Sequence, residues 1–191
     1  MDYYKTDDWG IIIMGLLKND INKCNELKGK LATVLSNMLD LNVDKAELFV
    51  GWCMDKSALY NKALLKKQYP KLPNNIQRGD IVMCELGINV PPEFGNDGTG
   101  RHFVVVWSQQ GHNFIVIPIT KQAPPEGNVH TIELGKIEGM PAKCNYAKLD
   151  AIRTVSIRRL GRVIGQKDGK IVNTDVRVKI NNAILDLFVD K

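Results

Sequence analysis

The apolar positions of this chain change their period once, and the change divides it. From Ile21 onward, Cys24, Leu27, Leu31, Val34, Leu35 and Met38 recur at three- and four-residue spacing with lysines and asparagines between them, the repeat of an amphipathic helix. Leu41-Asn42-Val43-Asp44 breaks that helix, and Asp44 with Glu47 three residues on reads as a capping box for a second one. Leu48, Phe49, Trp52, Cys53, Leu59, Ala63 and Leu64 form its apolar stripe, until Pro70 and Pro73 stop it. The pattern predicts a helical hairpin, with room for a short extra helix over Trp9 to Leu17.

Beyond residue 80 the period shortens. Ile81 to Leu86, Arg101 to Ser108, Phe114 to Thr120, Val129 to Leu134, Ile152 to Ile157 and Arg162 to Gly165 are rich in valine and isoleucine, and Gly, Pro and Asn signals part them, so each reads as a short strand. Gln109-Gln110-Gly111-His112-Asn113 is a hairpin loop and Lys167-Asp168-Gly169-Lys170 a tight turn. Thr174 then caps a terminal helix with Val176, Ile180, Ile184, Leu187 and Phe188 on one face. A parallel nucleotide-binding sheet needs helices between its strands, and this order has none. The fold class is therefore α+β: a compact, strongly bent antiparallel sheet or β-barrel-like domain over 78–191 with a C-terminal helix, preceded by the helical hairpin over 1–69. Two prolines and two asparagines mark a linker over 70–77.

Composition narrows the functional classes. An apolar content of 44% in 191 residues is enough for a core. Ile11 to Leu17 is far shorter than a membrane span, and the three aspartates and one lysine of Met1 to Trp9 are not the basic start of a secretory leader, so the chain reads as cytoplasmic with no membrane partner. Cys24, Cys53, Cys84 and Cys144 lie dozens of residues apart and read as reduced, buried small hydrophobes. His102, His112 and His130 have no metal-ligand spacing with one another or with a cysteine, and neither a metal nor a cofactor is expected.

The net charge of +5 is mild, but its distribution is not. Every arginine lies at or beyond position 78, and Arg153, Arg158, Arg159 and Arg162 crowd into ten residues. A planar guanidinium suits bidentate phosphate contacts; the competing reading is a solvated strand face. Gly95-Asn96-Asp97-Gly98-Thr99-Gly100 can cradle a phosphate with backbone N–H groups, or be a plain loop between strands, and Arg101 follows it at the mouth of a strand. It is no P-loop, because a strand follows it and no Gly-Lys-Ser/Thr is present.

Four segments occur in order: Arg78-Gly79-Asp80-Ile81-Val82; the glycine-rich loop running into Arg101 and Phe103-Val104-Val105-Val106; Pro118-Ile119-Thr120; and Leu149-Asp150-Ala151-Ile152-Arg153-Thr154-Val155. In that order and spacing the chain, over roughly residues 78 to 190, resembles the MazF/PemK family of toxin endoribonucleases, leaving the helical hairpin unmatched. The resemblance implies a CcdB-like fold and a homodimeric, metal-independent, sequence-specific endoribonuclease that cleaves single-stranded RNA and is restrained by a protein antitoxin. It implies catalytic roles for Arg101 and Thr120 and, for Arg153, either RNA binding or bracing of the site across a dimer; Asn96, Asp97, Gly98, Lys121, Gln122, Arg158 and Arg159 are further candidate RNA contacts, the last two extending the strand of Arg153. A solvated loop is the alternative for Lys121 and Gln122, and an ion pair of Asp150 with Arg153 is a purely structural alternative there.

The chain departs from the family where a glutamate usually stands five residues before the arginine and a proline just after it; here they are Asn96 and His102. Asp97 can replace the carboxylate. His102 can serve instead as a proton donor or acceptor, but alternation turns it and Arg101 to opposite faces, so it reads as a packing or interface residue. These departures keep open a second class of function on the same fold, an RNA-binding regulator without catalysis or a gyrase-directed poison.

Overall fold

The computed structural model describes residues 17–64, 76–87, 100–164 and 174–189. The linker from Pro70 to Asn75, the glycine-rich loop up to Thr99, the turn at Lys167 to Lys170 and the extra helix proposed from Trp9 up to residue 16 lie outside them. The chain divides into two compact units, Met1–Ala46 and Glu47–Lys191.

In the first unit, a 3-10 turn over Leu17–Asn19 leads into helix α1, Ile21–Ser36. Asp20 caps it, accepting the Lys23 N–H at 2.8 Å and satisfying one of the orphan donors of the first turn. The apolar stripe stays open: Leu31 is 65% and Leu35 53% exposed. Helix α2, Val43–Leu64, which from Glu47 on belongs to the second unit, starts earlier than a capping box at Asp44 requires. The cap is Asn42, whose Oδ1 accepts the Asp44 N–H at 2.9 Å. An asparagine there reaches the second N–H of the helix, so the aspartate falls inside the first turn, where its charge suits the helix dipole.

The second unit holds β1 Ile81–Glu85, β2 Arg101–Gln110, β3 Asn113–Thr120, β4 Thr131–Gly135, β5 Asn145–Lys148, β6 Arg153–Ser156, β7 Leu160–Val163 and the terminal helix α3, Thr174–Phe188. They form one seven-stranded sheet of order β4-β5-β3-β2-β1-β7, with β6 also on β3, and each recorded pairing is antiparallel. The expected five-residue hairpin loop shrinks to Gly111-His112, because β2 and β3 stay paired out to Gln110 and Asn113. Gly111 has φ +59, a conformation that a side chain disfavours. Strand β5 carries no valine or isoleucine and was not expected; it pairs with the end of β3 through Ile119↔Ala147 and Thr120↔Tyr146.

Alternation along the strands sends side chains to two cores. Ile81, Val105, Ile117 and Ile119 face one, which α3 closes with the fully buried Ile180. Val82, Cys84, Val104, Val106, Phe114 and Val116 face the other, completed by Val155 and Leu160. The segment before β1 is fastened as well. Asp80, 6% exposed, accepts the Gln77 N–H at 2.7 Å, and Arg78 lies over Trp107 with 3.9 Å between guanidinium carbon and ring centroid. No helix among the described residues is long and apolar enough to cross a membrane.

Candidate active site

Strand order decides which predicted residues can meet. Arg101 opens β2 and Thr120 closes β3. Because the strands run antiparallel with Val104 opposite Pro118, these two residues lie at the same end of the sheet. Alternation gives them different faces: Arg101 follows Phe103 and Val105, whereas Thr120 follows Pro118 and lies on the face of His102 and Val104. A ligand touching both must therefore sit over the end of the two strands.

Arg101 is exposed, and its cross-strand partner is Glu85, whose Oε1 lies 3.3 Å from an Arg101 terminal nitrogen. Nothing in the spacing of the chain pointed to Glu85, since the pairing is set by the sheet register. The structure thus sets a carboxylate beside the arginine although position 96 has none. Asn96, Asp97 and Gly98 fall outside the described residues.

Thr120 is half-buried, and its Oγ1 accepts the Gln122 N–H at 3.1 Å. Its hydroxyl hydrogen is left to point elsewhere. Lys121 and Gln122 are exposed just beyond it. Across the sheet, Thr120 faces Tyr146, which in turn faces Glu133, and Lys148 faces Thr131 on the same side. Thr120, Gln122, Asn128, Thr131 and Lys148 line a cleft of about 210 Å³. A hydrogen bond with Cys144, with burial and nearby negative charge, raises the Tyr146 phenol above its ordinary value and keeps it a donor. Lys148 pairs with Asp150 at 3.2 Å. Asp150 is thereby bound away from the pairing with Arg153 considered above.

The arginine cluster is built differently from expectation. Arg153 opens β6 opposite Val116, half-buried, with its Nε donating to the Ala151 carbonyl at 3.4 Å. Arg158 and Arg159 do not extend that strand. They form a 3-10 turn, Ile157–Arg159, capped by Ser156, whose side chain accepts the Arg158 N–H at 3.3 Å. Serine before the turn supplies the bend that a valine-rich run would have resisted. Past the turn the chain keeps its direction and passes from β3 to β1, where β7 pairs with Leu160 opposite Cys84.

Burial pushes the Cys84 thiol up to about 12, against the pull of the Arg159 and Arg153 guanidiniums. Register puts Arg153, opposite Val116, on the face of Val116, Val155 and Cys84, whose cross-strand partner is His102. His102, set aside above as packing, therefore lies on the face that carries Thr120 and Arg153. A basic surface with one hydroxyl, one phenol and two guanidiniums beside it can hold an anionic chain with phosphate oxygens turned inward.

The sequence profile of the PemK-like, MazF-like toxins of type II toxin–antitoxin systems matches residues 77–188. No curated protein matches. Similar solved structures include the Mycobacterium tuberculosis toxin MazF-mt6, 19% identical over 46% of this chain and 86% of that one with a TM-score of 0.39, and a structure titled as an Mtb toxin, 20% identical over 46% and 92% with a TM-score of 0.38. The profile spans more than half of the chain, including β1 through β7 and all of α3, and on that ground the chain belongs to the PemK-like, MazF-like toxins of type II toxin–antitoxin systems.

Proposed function

We propose that this toxin is an endoribonuclease that cuts single-stranded RNA without a metal. The observation that carries the reading is that Arg101 and Thr120 lie at the same end of the β2–β3 pair, with Glu85 held against Arg101. In the proposed reaction the RNA 2′-oxygen bonds to the adjacent phosphorus, the bond from phosphorus to the 5′-oxygen breaks, and the products are a 2′,3′-cyclic phosphate and a 5′-hydroxyl. The Glu85 carboxylate takes the 2′-hydroxyl proton, and solvent returns a proton to the departing 5′-oxygen. Arg101 neutralises the charge that builds on the phosphate, and the Thr120 hydroxyl donates to a further oxygen.

Arg153, Arg158 and Arg159, with Lys121 and Gln122, grip the flanking backbone, and Asn96, Asp97 and Gly98 complete the contacts from the loop. The active species is a homodimer, and a protein antitoxin restrains it by filling the RNA groove.

The test is a long mixed-sequence RNA incubated with the protein in EDTA, with cut sites mapped at nucleotide resolution beside the Arg101→Ala variant. Cuts at one recurring short sequence that vanish in the variant support the reading. Binding without cutting, weakening steeply with salt, would replace it with the RNA-binding regulator.

A further inference from the structure

Helix α2 precedes the segment that the toxin profile matches, yet one of its side chains reaches the site. Trp52, half-buried, lies against Gly87: a Cβ built at Gly87 would collide with ring carbons Cζ2 and Cε2 and stand 2.8 Å from Nε1. Gly87 has φ +89, so both its backbone and the indole exclude a side chain. The Gly87 N–H donates to the Gly100 carbonyl at 2.9 Å, and a Cβ at Gly100 would lie 3.3 Å from the Gly87 Cα. Gly100 is the residue before Arg101. Trp52 also carries the Arg159 guanidinium, 5.4 Å from the ring centroid.

We propose that Trp52 is a positioning residue for RNA cleavage. One rigid indole touches both routes by which cationic groups enter the site. Through Gly87 and Gly100 it fixes the start of β2, and with it Arg101. Through the cation–π contact it fixes Arg159, which a flexible side chain would leave to sample many rotamers. Helix α2 is then a working part of the toxin and not an appendage. The proposal rests on the ribonuclease reading, and it predicts a specific division of effects. A displaced guanidinium still attracts RNA but meets the transition state badly, so the turnover step suffers more than binding.

The experiment compares full-length wild type, Trp52→Phe, Trp52→Ala and Arg101→Ala on an oligonucleotide bearing the mapped cut site, with circular dichroism to confirm folding. Trp52→Ala should lower kcat about tenfold or more while KM and the salt dependence of binding stay near wild type, and Trp52→Phe should recover most of the loss. Unchanged kcat in Trp52→Ala, a loss confined to KM, or faster cutting would overturn the proposal; the last would mean that α2 covers the arginines. If even wild type does not cut, the ribonuclease reading has failed, and the Gly87 and Gly100 amide signals in NMR then test Trp52 alone. Both should move in Trp52→Ala and return in Trp52→Phe; if they stay put, the proposed clamp does not exist.

Discussion

Glu85 and Arg101 are direct partners across β1 and β2, and their carboxylate and guanidinium meet at 3.3 Å beside solvent. An ion pair as open as this adds little to stability, so its value lies in where it holds the arginine. Glu85→Gln keeps the shape and removes both the charge and the proposed base. Cleavage should fall at least a hundredfold, on the scale of general acid–base catalysis, while the melting temperature hardly changes. Parallel rate and melting measurements decide it; wild-type turnover would remove Glu85 from the reaction.

The half-buried Arg153 and the turn carrying Arg159 are expected to act on RNA through phosphate. Replacing either by alanine in an Arg101→Ala background should weaken binding about equally for all sequences and lower the slope of log affinity against log salt by about one. Filter binding over a salt series reads both quantities. A change confined to one RNA sequence would instead mark a base contact.

Cys84 should resist alkylation where Cys53 does not. Its thiol is buried and pushed up to about 12, whereas Cys53 is exposed. Only the thiolate attacks, so iodoacetamide near neutral pH should label Cys53 and spare Cys84, as peptide mass mapping would show. The same shift has a sign for stability. A thiol held protonated in the folded state contributes fully below its ordinary value of 9.0 and loses that contribution as pH rises toward 12. Unfolding midpoints should fall across that alkaline window, less steeply in Cys84→Val.

Asn145 is fully buried in β5, with its Nδ2 donating to the Gly135 carbonyl at 3.0 Å. Gly135 breaks the register of β4 against β5, and the side-chain amide serves its carbonyl. Asn145→Ala leaves that carbonyl without this donor and should cost about 1–3 kcal/mol in denaturant unfolding. Because β5 also positions Tyr146 and Lys148, cleavage should fall in the same variant.

Much of this architecture could be read in advance wherever a long run of one residue class set the local structure. Valine and isoleucine runs located β1, β2 and β3, and three- and four-residue spacing located α1, α2 and α3. What escaped was decided by partners distant in the chain. Strand β5, Asn-Tyr-Ala-Lys, has no local strand signal and exists because the end of β3 needs a neighbour. The Arg158-Arg159 pair looked like strand because the residues before it do, and Ser156 turned it. At the site, Arg101 and Thr120 came from motif resemblance, whereas Glu85, Tyr146 and Trp52 are set there by sheet register and helix packing, which no spacing along the chain records.

Strand β3 has three partners, and they appear at different times in synthesis. Its pairing with β2 needs only the turn at Gly111 and His112, while β5 and β6 come from residues 145–156. A short loop closes at little entropic cost, so the β2–β3 hairpin can form while the rest of the domain is still being made. That early piece already sets Arg101 and Thr120 at one end of the strand pair but lacks Arg153 and Arg159. On the proposed reading, a growing chain therefore carries two of its candidate catalytic residues before the arginines that would grip RNA, and the message being translated would be out of danger from it until the last third of the protein has emerged.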